Sequence, residues 1–563
     1  MQRKIKIKII TLNARFTHSG LALFYVRNEI SKRLDAADTE LCQFTINDPY
    51  YETLLKVTER NPEIIMFSVS TWNVDYTLRL VRDIITALPG TRIILGGPEA
   101  TFMAAGAFPE GCTIVRGEVE GLEDGFFQDL AKGCLGTEYI AQPGKPYSYP
   151  YEEKDFVTHL RNRSVYYESS RGCPFSCSYC LSAIGRKVYN KGISEVKAEL
   201  DRILAHNPKS LRFVDRTFNA SSERALEIWK HLAARKTQTV FHFEIAPDRF
   251  TEEMFVFLET IEPGRFDFEI GIQSTNPETL KAVHRSMDLD AAAKNISRLV
   301  GLDNIHLHVD LILGLPYETV ETFRQSFNDV FRMKPHYIQM GLLKILPGTP
   351  ISTADDYGLA ACRNPPYQIL KTRWMSHETL ADLYWFGECV EAFYNKKFFR
   401  NVCNYLGATE QNPFAVFKAL AEFARARGFF DLAKTQEFMN AILVGFTAER
   451  QDRAVIVELL RFDWLKSGHR FLPEILEDEP IKKIKDDLRK MLPQSLAPFY
   501  DYANRDEFFK KGMFSRFSGP ALRALGLSEY NAAGWVVFFP EQDPGISKGC
   551  STALLVEDQT PIS

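Results

Sequence analysis

Apolar runs long enough to cross a membrane are missing from this 563-residue sequence. A transmembrane helix needs about 20 consecutive apolar residues, so we expect no membrane span. The amino terminus, MQRKIKIKII, alternates basic and apolar residues and lacks the apolar core and cleavage site of a secretory signal. This pattern predicts a β-strand, and we expect a cytoplasmic protein.

A strong excess of either charge is also missing. Lysine and arginine total 68, aspartate and glutamate total 72, and the net charge is −4. This balance argues against a surface that coats nucleic acid broadly, although it leaves a local basic groove open. We therefore do not expect a nucleic-acid partner, without excluding one.

Cysteine is scarce, with ten residues in the whole chain. Scattered single cysteines are typical of a reducing compartment, where a tight cysteine group indicates metal or redox chemistry and not a disulfide. Seven of the ten are scattered, and the other three lie within RGCPFSCSYC at Cys173, Cys177 and Cys180. This group is the first candidate for a metal site.

Short apolar runs alternate with helical patterns over residues 1–140. Such alternation predicts an α/β fold with a parallel sheet covered by helices on both faces. We therefore expect a doubly wound, Rossmann-like domain whose ligands lie beyond the carboxyl ends of the strands. Those ends are polar or contain glycine. The predicted strands are KIKIITL, LCQFTI, IIMFSVS, RIILGG and CTIVRG.

Three further segments follow. The Pro-, Gly- and Tyr-rich start of 141–160 predicts a linker. Six strand–helix units over 161–360 predict a partial, TIM-like (β/α)6 barrel, because a closed eight-unit barrel needs about 250 residues. Residues 361–563 become mainly helical, with apolar residues three and four apart and one late strand, WVVFFP. The cysteine group comes directly after the first barrel strand.

Three cysteines leave a tetrahedral metal site incomplete. Structural zinc takes four protein ligands, and the next cysteine, Cys362, is far away in sequence. A 4Fe–4S cluster accommodates three thiolates, since each binds one iron and the fourth iron stays open for a substrate-like ligand. A structural zinc site and three free thiols remain the alternatives at this point.

The CxxxCxxC spacing, with Tyr179 before the last cysteine, resembles the radical S-adenosylmethionine superfamily over roughly residues 160–350. The resemblance implies that Cys173, Cys177 and Cys180 are catalytic residues and metal ligands. It further implies that S-adenosylmethionine binds the open iron through its amino and carboxylate groups. One electron from the cluster then cleaves the sulfonium and gives a 5′-deoxyadenosyl radical that abstracts hydrogen.

The other predicted strand ends resemble the superfamily's motifs. RFVDRTFN supplies polar candidates near the methionine amino group, and FHFEIAPDRF supplies a carboxylate for the ribose or the amino acid. The segments GIQS and ILGLP resemble the fourth- and fifth-strand motifs, and the second of these packs on adenine. The resemblance thus implies cofactor contacts at Asp215, Asn219, Glu244, Gln273, Ser274, Leu313 and Gly314. Each residue also has an ordinary structural interpretation, in a core hydrogen bond, a turn or a surface charge.

RIILGGPEAT followed by VRGEVEG resembles the cobalamin (B12)-binding domain that precedes the barrel in one class of the superfamily. In cobalamin-binding domains of another kind, the histidine of an Asp-x-His-x-x-Gly motif ligates cobalt from below, and no such motif follows the strands here. If cobalamin binds, we expect its nucleotide base to be displaced from the cobalt and the lower cobalt face to be unligated or only weakly contacted. Expected contacts to the corrinoid are Ser68, Ser70, Trp72, Gly96, Gly97 and Glu118. A domain that holds no cofactor is the alternative, and His18 is interpreted as an ordinary core or surface histidine.

The whole chain resembles cobalamin-binding radical S-adenosylmethionine proteins with a C-terminal domain of unknown function of the DUF4080 type. We expect a cobalamin-dependent enzyme that methylates an unactivated carbon of an unidentified substrate. The alternatives are a non-methylating rearrangement, cyclisation or oxidation, and a non-catalytic cobalamin- or zinc-binding regulator. An electron donor such as flavodoxin or ferredoxin is implied, and the oligomeric state is not readable from the sequence.

Overall fold

The computed structural model describes residues 4–184, 187–477, 481–492, 505–529, 532–542 and 550–556. The chain begins with a six-stranded, all-parallel sheet in the order β2-β1-β3-β4-β5-β6. Its elements are β1 (Ile5–Asn13), α1 (Leu21–Arg33), β2 (Ala37–Thr45), α2 (Tyr50–Thr58), β3 (Ile64–Ser68), α3 (Val74–Ala87), β4 (Arg92–Gly96), α4 (Pro98–Phe102), β5 (Cys112–Arg116), α5 (Asp124–Lys132) and β6 (Glu138–Ile140). The predicted strands are confirmed.

Helices cover both faces of this sheet, as the doubly wound prediction requires. On one face, Ile10 and Phe67 pack in a core with Val81 of α3. On the other face, Ile9 and Phe126 belong to a core that continues without a break into the following domain. One face of the sheet therefore packs against helices of its own domain. The face covered by α1 and α5 belongs to the core that extends into the following domain.

The segment after the sheet is packed against α1 and includes a short helix, α6 (Asp155–Thr158). Arg27 of α1 donates to the Asp155 carboxylate at 2.7 Å and to the carbonyl of Pro150 at 3.0 Å. Asp155 and Arg27 are both buried. The residues predicted as a linker thus form a packed joint between the two domains, although their exact limits as a linker stay a prediction.

A second parallel sheet follows, with six strands in the order β14-β13-β12-β11-β10-β7. Because its two ends, β7 and β14, do not pair with each other, the barrel is partial, as predicted. Its elements are β7 (Val165–Tyr167), β8 (Ser170–Arg171), β9 (Tyr189–Asn190), α7 (Ile193–Leu204), β10 (Ser210–Phe213), α8 (Ser222–Ala233), β11 (Val240–Ile245), α9 (Glu252–Leu258), β12 (Phe266–Gln273), α10 (Pro277–Ala282), α11 (Leu289–Leu302), β13 (Ile305–Leu313), α12 (Val320–Arg332) and β14 (Tyr337–Leu342).

The barrel strands are apolar toward the helices and polar on the concave side. Phe266 and Phe268 of β12 are fully buried against Trp229 of α8. Between them in sequence, Asp267 and Glu269 point to the opposite face, because strand side chains alternate. The concave side is therefore a charged surface, unlike the branched apolar core of a closed eight-stranded barrel.

The rest of the chain is mainly helical, as predicted, with β15 (Ala360–Ala361), β16 (Ile369–Lys371), α13 (His377–Val390), a π-helical turn (Glu391–Asn395), α14 (Arg400–Thr409), α15 (Pro413–Arg425), α16 (Gln436–Phe446), α17 (Arg453–Lys466), α18 (Ile481–Met491), α19 (Arg505–Lys511), β17 (Met513–Phe517), α20 (Gly519–Ala524), β18 (Gly534–Gln542) and β19 (Cys550–Val556). The predicted strand WVVFFP lies in β18. Its partners β17 and β19 were not predicted, and together they form an antiparallel sheet. No helix in the described ranges is both long and apolar enough to span a bilayer.

Candidate functional site

The three-cysteine loop begins at a small hairpin directly after the first barrel strand. Residues Ser170 and Arg171 of β8 pair antiparallel with Asn190 and Tyr189 of β9. Gly172 has a φ of +91°, and a Cβ there would collide with the carbonyl oxygen of Lys187. Glycine is therefore required for the turn that leads from the hairpin into the loop.

The three thiols of this loop differ in their exposure. Cys173 and Cys177 are buried and Cys180 is partly exposed. Burial raises the pKa of the Cys173 thiol, and the charges of Cys180 and Cys177 raise it further. The loop therefore offers three soft sulfur ligands, which a metal centre would bind as thiolates.

Two other groups contact these sulfur atoms. Arg285, in the turn after α10, donates through Nη1 to the Sγ of Cys177 at 3.6 Å. The Thr217 hydroxyl, after β10, lies 3.6 Å from the Sγ of Cys173. Sequence reasoning missed both residues, because nothing in a single sequence marks a turn residue as a neighbour of a distant loop.

The donor set fits an iron–sulfur cluster. Within the described ranges, no three His, Cys, Asp or Glu side chains converge on one metal ion. A 4Fe–4S cluster does not require its ligands to converge on one atom, since each thiolate binds its own iron atom. Three thiols on one loop, with a cation beside one of them, meet that requirement.

Asp215 and Asn219, predicted to contact the cofactor, lie at the carboxyl end of β10 but use their polar atoms internally. Asp215 accepts from the backbone N–H of Ser169 at 2.9 Å and from the Ser170 hydroxyl at 2.7 Å. Asn219 exchanges two 2.8 Å hydrogen bonds with the backbone of Ala246. Both side chains brace neighbouring strand ends, and direct cofactor contact stays a prediction for them.

Glu244 and Gln273 lie on the polar side of the barrel near its carboxyl end. Burial raises the pKa of Glu244 to about 7, against the opposing charge of Arg216. Gln273 has a φ of +72°, and its buried Oε1 has no hydrogen-bond partner. A buried acceptor without a partner indicates a site for a donor that the protein does not supply.

The remaining predicted barrel residues are packed. The Ser274 hydroxyl donates to Glu318, and the Leu313 side chain is buried. Gly314 has a φ of +85°, and a Cβ there would lie 2.8 Å from Ile369. Contact of Leu313 and Gly314 with adenine stays a prediction.

A cavity of about 450 Å³ opens at the carboxyl edge of the first sheet. Of the residues predicted to touch a corrinoid, Ser68, Gly96, Gly97 and Glu118 line it. Its walls are otherwise largely apolar and come from the sheet, α1 and α5, with side chains such as Met66 and Phe126. The volume and lining fit a planar heteroaromatic group, such as the nucleotide base of cobalamin.

Two other predicted corrinoid contacts do not line this cavity. Ser70 is buried, and its N–H donates to the Asn73 side chain at 2.8 Å. Trp72 is 54% exposed, and its Nε1–H donates to the Leu12 carbonyl at 3.1 Å. Their roles as cofactor contacts stay predictions. His18, interpreted as an ordinary histidine, makes a 2.5 Å hydrogen bond with Tyr166.

The same cavity reaches the barrel. Arg171, Leu181 and Ser182 of the cysteine loop line it, together with Arg216 after β10. On the opposite side, Gly348 after β14 leaves room for the ring of Phe102, which also lines the cavity. The carboxyl edges of the two sheets therefore face each other across one space.

A buried hydrogen bond also joins the first domain to the residues after the barrel. The Tyr367 hydroxyl donates to the Glu99 carboxylate at 3.0 Å, and both side chains are buried. Glu99 belongs to α4 beside the cavity, and it also accepts from the Thr71 hydroxyl at 2.7 Å. The first domain is thus tied to residues that follow the barrel in sequence.

Three family models match the chain in order. The B12 binding domain matches residues 7–126, the radical SAM superfamily matches 167–330, and the protein of unknown function DUF4080 matches 355–538. The first two ranges contain the cavity edge and the cysteine loop.

The curated relatives include methyltransferases. The 2-(S-pantetheinyl)-carbapenam-3-carboxylate methyltransferase of Streptantibioticus cattleyicolor is 24% identical over 65% of this chain and 62% of its own length. The cobalamin-dependent radical SAM methyltransferase TokK of Streptomyces tokunonensis is 24% identical over 53% of this chain and 50% of its own. The chain therefore spans less than two thirds of the length of either relative.

A solved structure shares the fold. TsrM from Kitasatospora setae, a radical S-adenosylmethionine methyltransferase determined with cobalamin and a [4Fe–4S] cluster, superposes with a TM-score of 0.55. The superposition covers 76% of this chain and all of that one, at 15% identity.

A doubly wound domain whose carboxyl edge opens onto the three-cysteine mouth of a partial barrel defines the class of cobalamin-binding radical S-adenosylmethionine proteins. Its cofactors are a 4Fe–4S cluster, S-adenosylmethionine and cobalamin. This chain belongs to that family, as a member with a C-terminal DUF4080 domain.

Proposed function

We propose that the protein is a cobalamin-dependent radical S-adenosylmethionine C-methyltransferase. The observation that carries the proposal is the single cavity lined by Gly96, Gly97 and Glu118 on one side and by Arg171, Ser182 and Arg216 on the other. When bound, the reduced cluster supplies the electron that cleaves S-adenosylmethionine, and the corrinoid supplies the methyl group. In this proposal the substrate carbon lies between the cysteine loop and the corrinoid side of this space.

The chain's own residues have distinct tasks in this proposal. Cys173, Cys177 and Cys180 bind three irons and leave the fourth open. Gln273 and Glu244 offer acceptors to the polar groups of S-adenosylmethionine, and the backbone at Gly314 offers a flat surface to adenine. Asp215, Asn219 and Ser274 hold the strand ends that carry these groups, and any cofactor contact they make adds to that role.

At the corrinoid side we assign Gly96 and Gly97 to close approach of the backbone. Gly97 has a φ of +104°, and a Cβ there would lie 2.6 Å from the carbonyl oxygen of Val69. Ser68 and Glu118 supply hydrogen bonds at the cavity rim, and Trp72 and Ser70 lie on the neighbouring loop after β3. No histidine is among the residues that line the cavity, which supports a corrinoid without a lower histidine ligand.

The first test is a cofactor census of anaerobically purified and reconstituted protein. We expect about four iron and four sulfide per chain and one bound corrinoid. Cys173→Ala, Cys177→Ala and Cys180→Ala each abolish iron–sulfide loading, whereas the control Cys134→Ala, an exposed cysteine outside the loop, leaves it unchanged. Zinc without sulfide in the wild type would refute the proposal.

The second test follows the methyl group. With S-adenosylmethionine labelled at its methyl group and a strong reductant, we expect 5′-deoxyadenosine, S-adenosylhomocysteine and labelled methylcobalamin even without substrate. Candidate substrates are then tested for the label. Formation of 5′-deoxyadenosine with no methyl transfer to the corrinoid would instead favour a non-methylating radical reaction.

We propose a flavodoxin- or ferredoxin-type protein as the electron donor and the cytoplasm as the location. The three cysteines of the loop are the only close cysteine cluster in the sequence, so an external one-electron donor is needed. Reduction of the cluster by a purified flavodoxin with its reductase, followed by electron paramagnetic resonance, tests the donor. An unreduced cluster under those conditions, with dithionite still effective, would exclude that donor.

A further inference from the structure

Arg171 hydrogen-bonds side chains from both cofactor domains. Its three guanidinium nitrogens donate to three different carboxylates: Nη1 to Glu118 at 3.1 Å, Nη2 to Glu120 at 2.9 Å and Nε to Glu168 at 2.9 Å. Glu118 and Glu120 lie in the loop after β5 of the first domain, and Glu168 lies after β7 of the barrel. One buried side chain therefore bridges the loop that borders the corrinoid cavity and the strand that leads to the cysteines.

Two aromatic rings complete the surroundings of this guanidinium. Its central carbon lies 3.9 Å from the ring centroid of Tyr147, in the segment between the domains, and 5.0 Å from that of Tyr25, in α1. A planar fork can bond three carboxylates while it stacks on rings, but the compact ammonium of lysine cannot. The site is therefore specific for arginine in its geometry as well as its charge.

A movement of Arg171 would be passed to the cysteine loop. Arg171 is the last residue of β8, and only Gly172 separates it from Cys173. The hairpin with Tyr189 and the close approach of Gly172 to the Lys187 carbonyl leave this connection little freedom. The position of Cys173 is thus mechanically linked to Glu118 and Glu120 at the cavity rim.

We propose that Arg171 is a positioning residue that sets the separation and orientation of the cluster-binding loop relative to the corrinoid cavity. Arg171 borders the cavity, holds Glu118 and Glu120 at the cavity rim, and is linked through the chain to Cys173 on the other side. Occupation of the cavity is then sensed at the cysteine loop. The inference rests on the proposed function, because it takes the cavity to be the corrinoid site.

The test measures amide hydrogen exchange of the cluster-loaded protein under anaerobic conditions, with and without hydroxocobalamin. In the wild type, we expect hydroxocobalamin to slow exchange about fivefold both in residues 115–123 and in residues 171–180. In Arg171→Lys, the first segment is still protected and the second is unchanged. A merely stabilising role would alter the exchange of both segments in the absence of corrinoid and leave the response intact.

Arg298→Lys is the matched control. Arg298 bonds Glu252 at 2.6 Å, and its central carbon lies 4.0 Å from the ring centroid of Phe255, but it sits on the outer helices of the barrel. We expect this variant to respond like the wild type. If Arg171→Lys does not retain its cluster, Glu120→Gln provides the second variant, which removes one charged arm of the fork and should weaken the response by about half.

A second readout is the paramagnetic interaction between cob(II)alamin and the reduced cluster. We expect Arg171→Lys to change the splitting or broadening of the cob(II)alamin signal relative to the wild type and to Arg298→Lys. A wild type that binds corrinoid without protecting residues 171–180, or an Arg171→Lys variant with unchanged exchange response and spectrum, would overturn the inference. Failure of the wild type to bind corrinoid at all would instead refute the proposed function.

Discussion

The hydroxyl of Ser274, at the end of β12, donates to Oε1 of Glu318, which lies 2.7 Å away in the loop between β13 and α12. Ser274 belongs to a motif that the sequence analysis predicted at the cofactor site, yet it and Glu318 face each other in a fully buried position. Oε2 of Glu318 has no hydrogen-bond partner, and burial raises the pKa of this carboxyl to about 8. The pair joins two adjacent strand ends through a carboxyl group that is mostly protonated at neutral pH.

The first prediction concerns stability against pH. The pKa of Glu318 rises from about 4.5 when unfolded to about 8 when folded, so the folded state binds the extra proton between these values. The contribution of Glu318 to stability is therefore full below pH 4.5 and is lost as pH rises through 8. Glu318→Gln should raise the melting temperature by several degrees at pH 8.5 and have little effect at pH 5.

Scanning calorimetry at the two pH values measures this effect. Glu321→Gln, at an exposed carboxyl in the first turn of α12, is the control and should behave like the wild type at both. A Glu318→Gln variant that is destabilised equally at pH 5 and pH 8.5 would contradict the assignment of a protonated carboxyl.

The second prediction separates bracing from cofactor contact at Asn219. Its side chain is fully buried, and Asn219→Ala would leave both the N–H and the carbonyl of Ala246 without partners. We expect a loss of about 2–4 kcal/mol in the free energy of unfolding, even with no cofactor present. Urea denaturation of the apoprotein measures it. A variant that unfolds like the wild type but binds S-adenosylmethionine more weakly would instead support direct contact.

The third prediction concerns Gly97. Alanine there must adopt a φ near +104° and place its Cβ against the backbone of Val69. We expect Gly97→Ala to cost about 1–3 kcal/mol of stability and to weaken hydroxocobalamin binding at least tenfold, because β4 and α4 must separate from β3. Equilibrium dialysis gives the affinity. Gly90→Ala, where nothing lies within 4 Å of an added Cβ, is the control and should leave both quantities unchanged.

The fourth prediction concerns the cation beside Cys177. The Arg285 guanidinium stabilises negative charge on the sulfur and on a reduced cluster. Arg285→Met should lower the reduction potential of the cluster by on the order of 50 mV, since potentials depend on nearby charge and on hydrogen bonds to sulfur. A redox titration followed by electron paramagnetic resonance measures the shift. Arg298→Met is the control, and a shift of equal size in that variant would argue against a local effect.

Much of the fold was predictable because its signals are local. Alternating strand and helix patterns gave both parallel sheets, and the spacing of Cys173, Cys177 and Cys180 gave the cluster loop. The topology also predicted that polar strand ends meet at one edge. The strands β17 and β19 were not predicted from the sequence.

Side-chain direction was the part that the sequence could not supply. Asp215, Asn219 and Ser274 hydrogen-bond neighbouring backbone and side chains, which the sequence did not reveal, and their contact with a cofactor stays a prediction. Arg171 and Arg285 gain their importance from contacts with residues that are 51 and 108 positions away. Periodicity predicts on which face of a helix or strand a residue lies. It does not predict which side chain or backbone group the residue contacts there.

Asn395 has a consequence for how the chain can be divided. Its side-chain amide exchanges two 2.9 Å hydrogen bonds with the backbone of Ile338, in the outermost strand β14. The side chain therefore pairs with backbone groups of β14 that a seventh strand would otherwise bond. A fragment that stops at residue 360 would expose the N–H and C=O groups of β14 and invite pairing between copies. Part of the family match over residues 355–538 thus covers an edge of the barrel sheet that would otherwise be open.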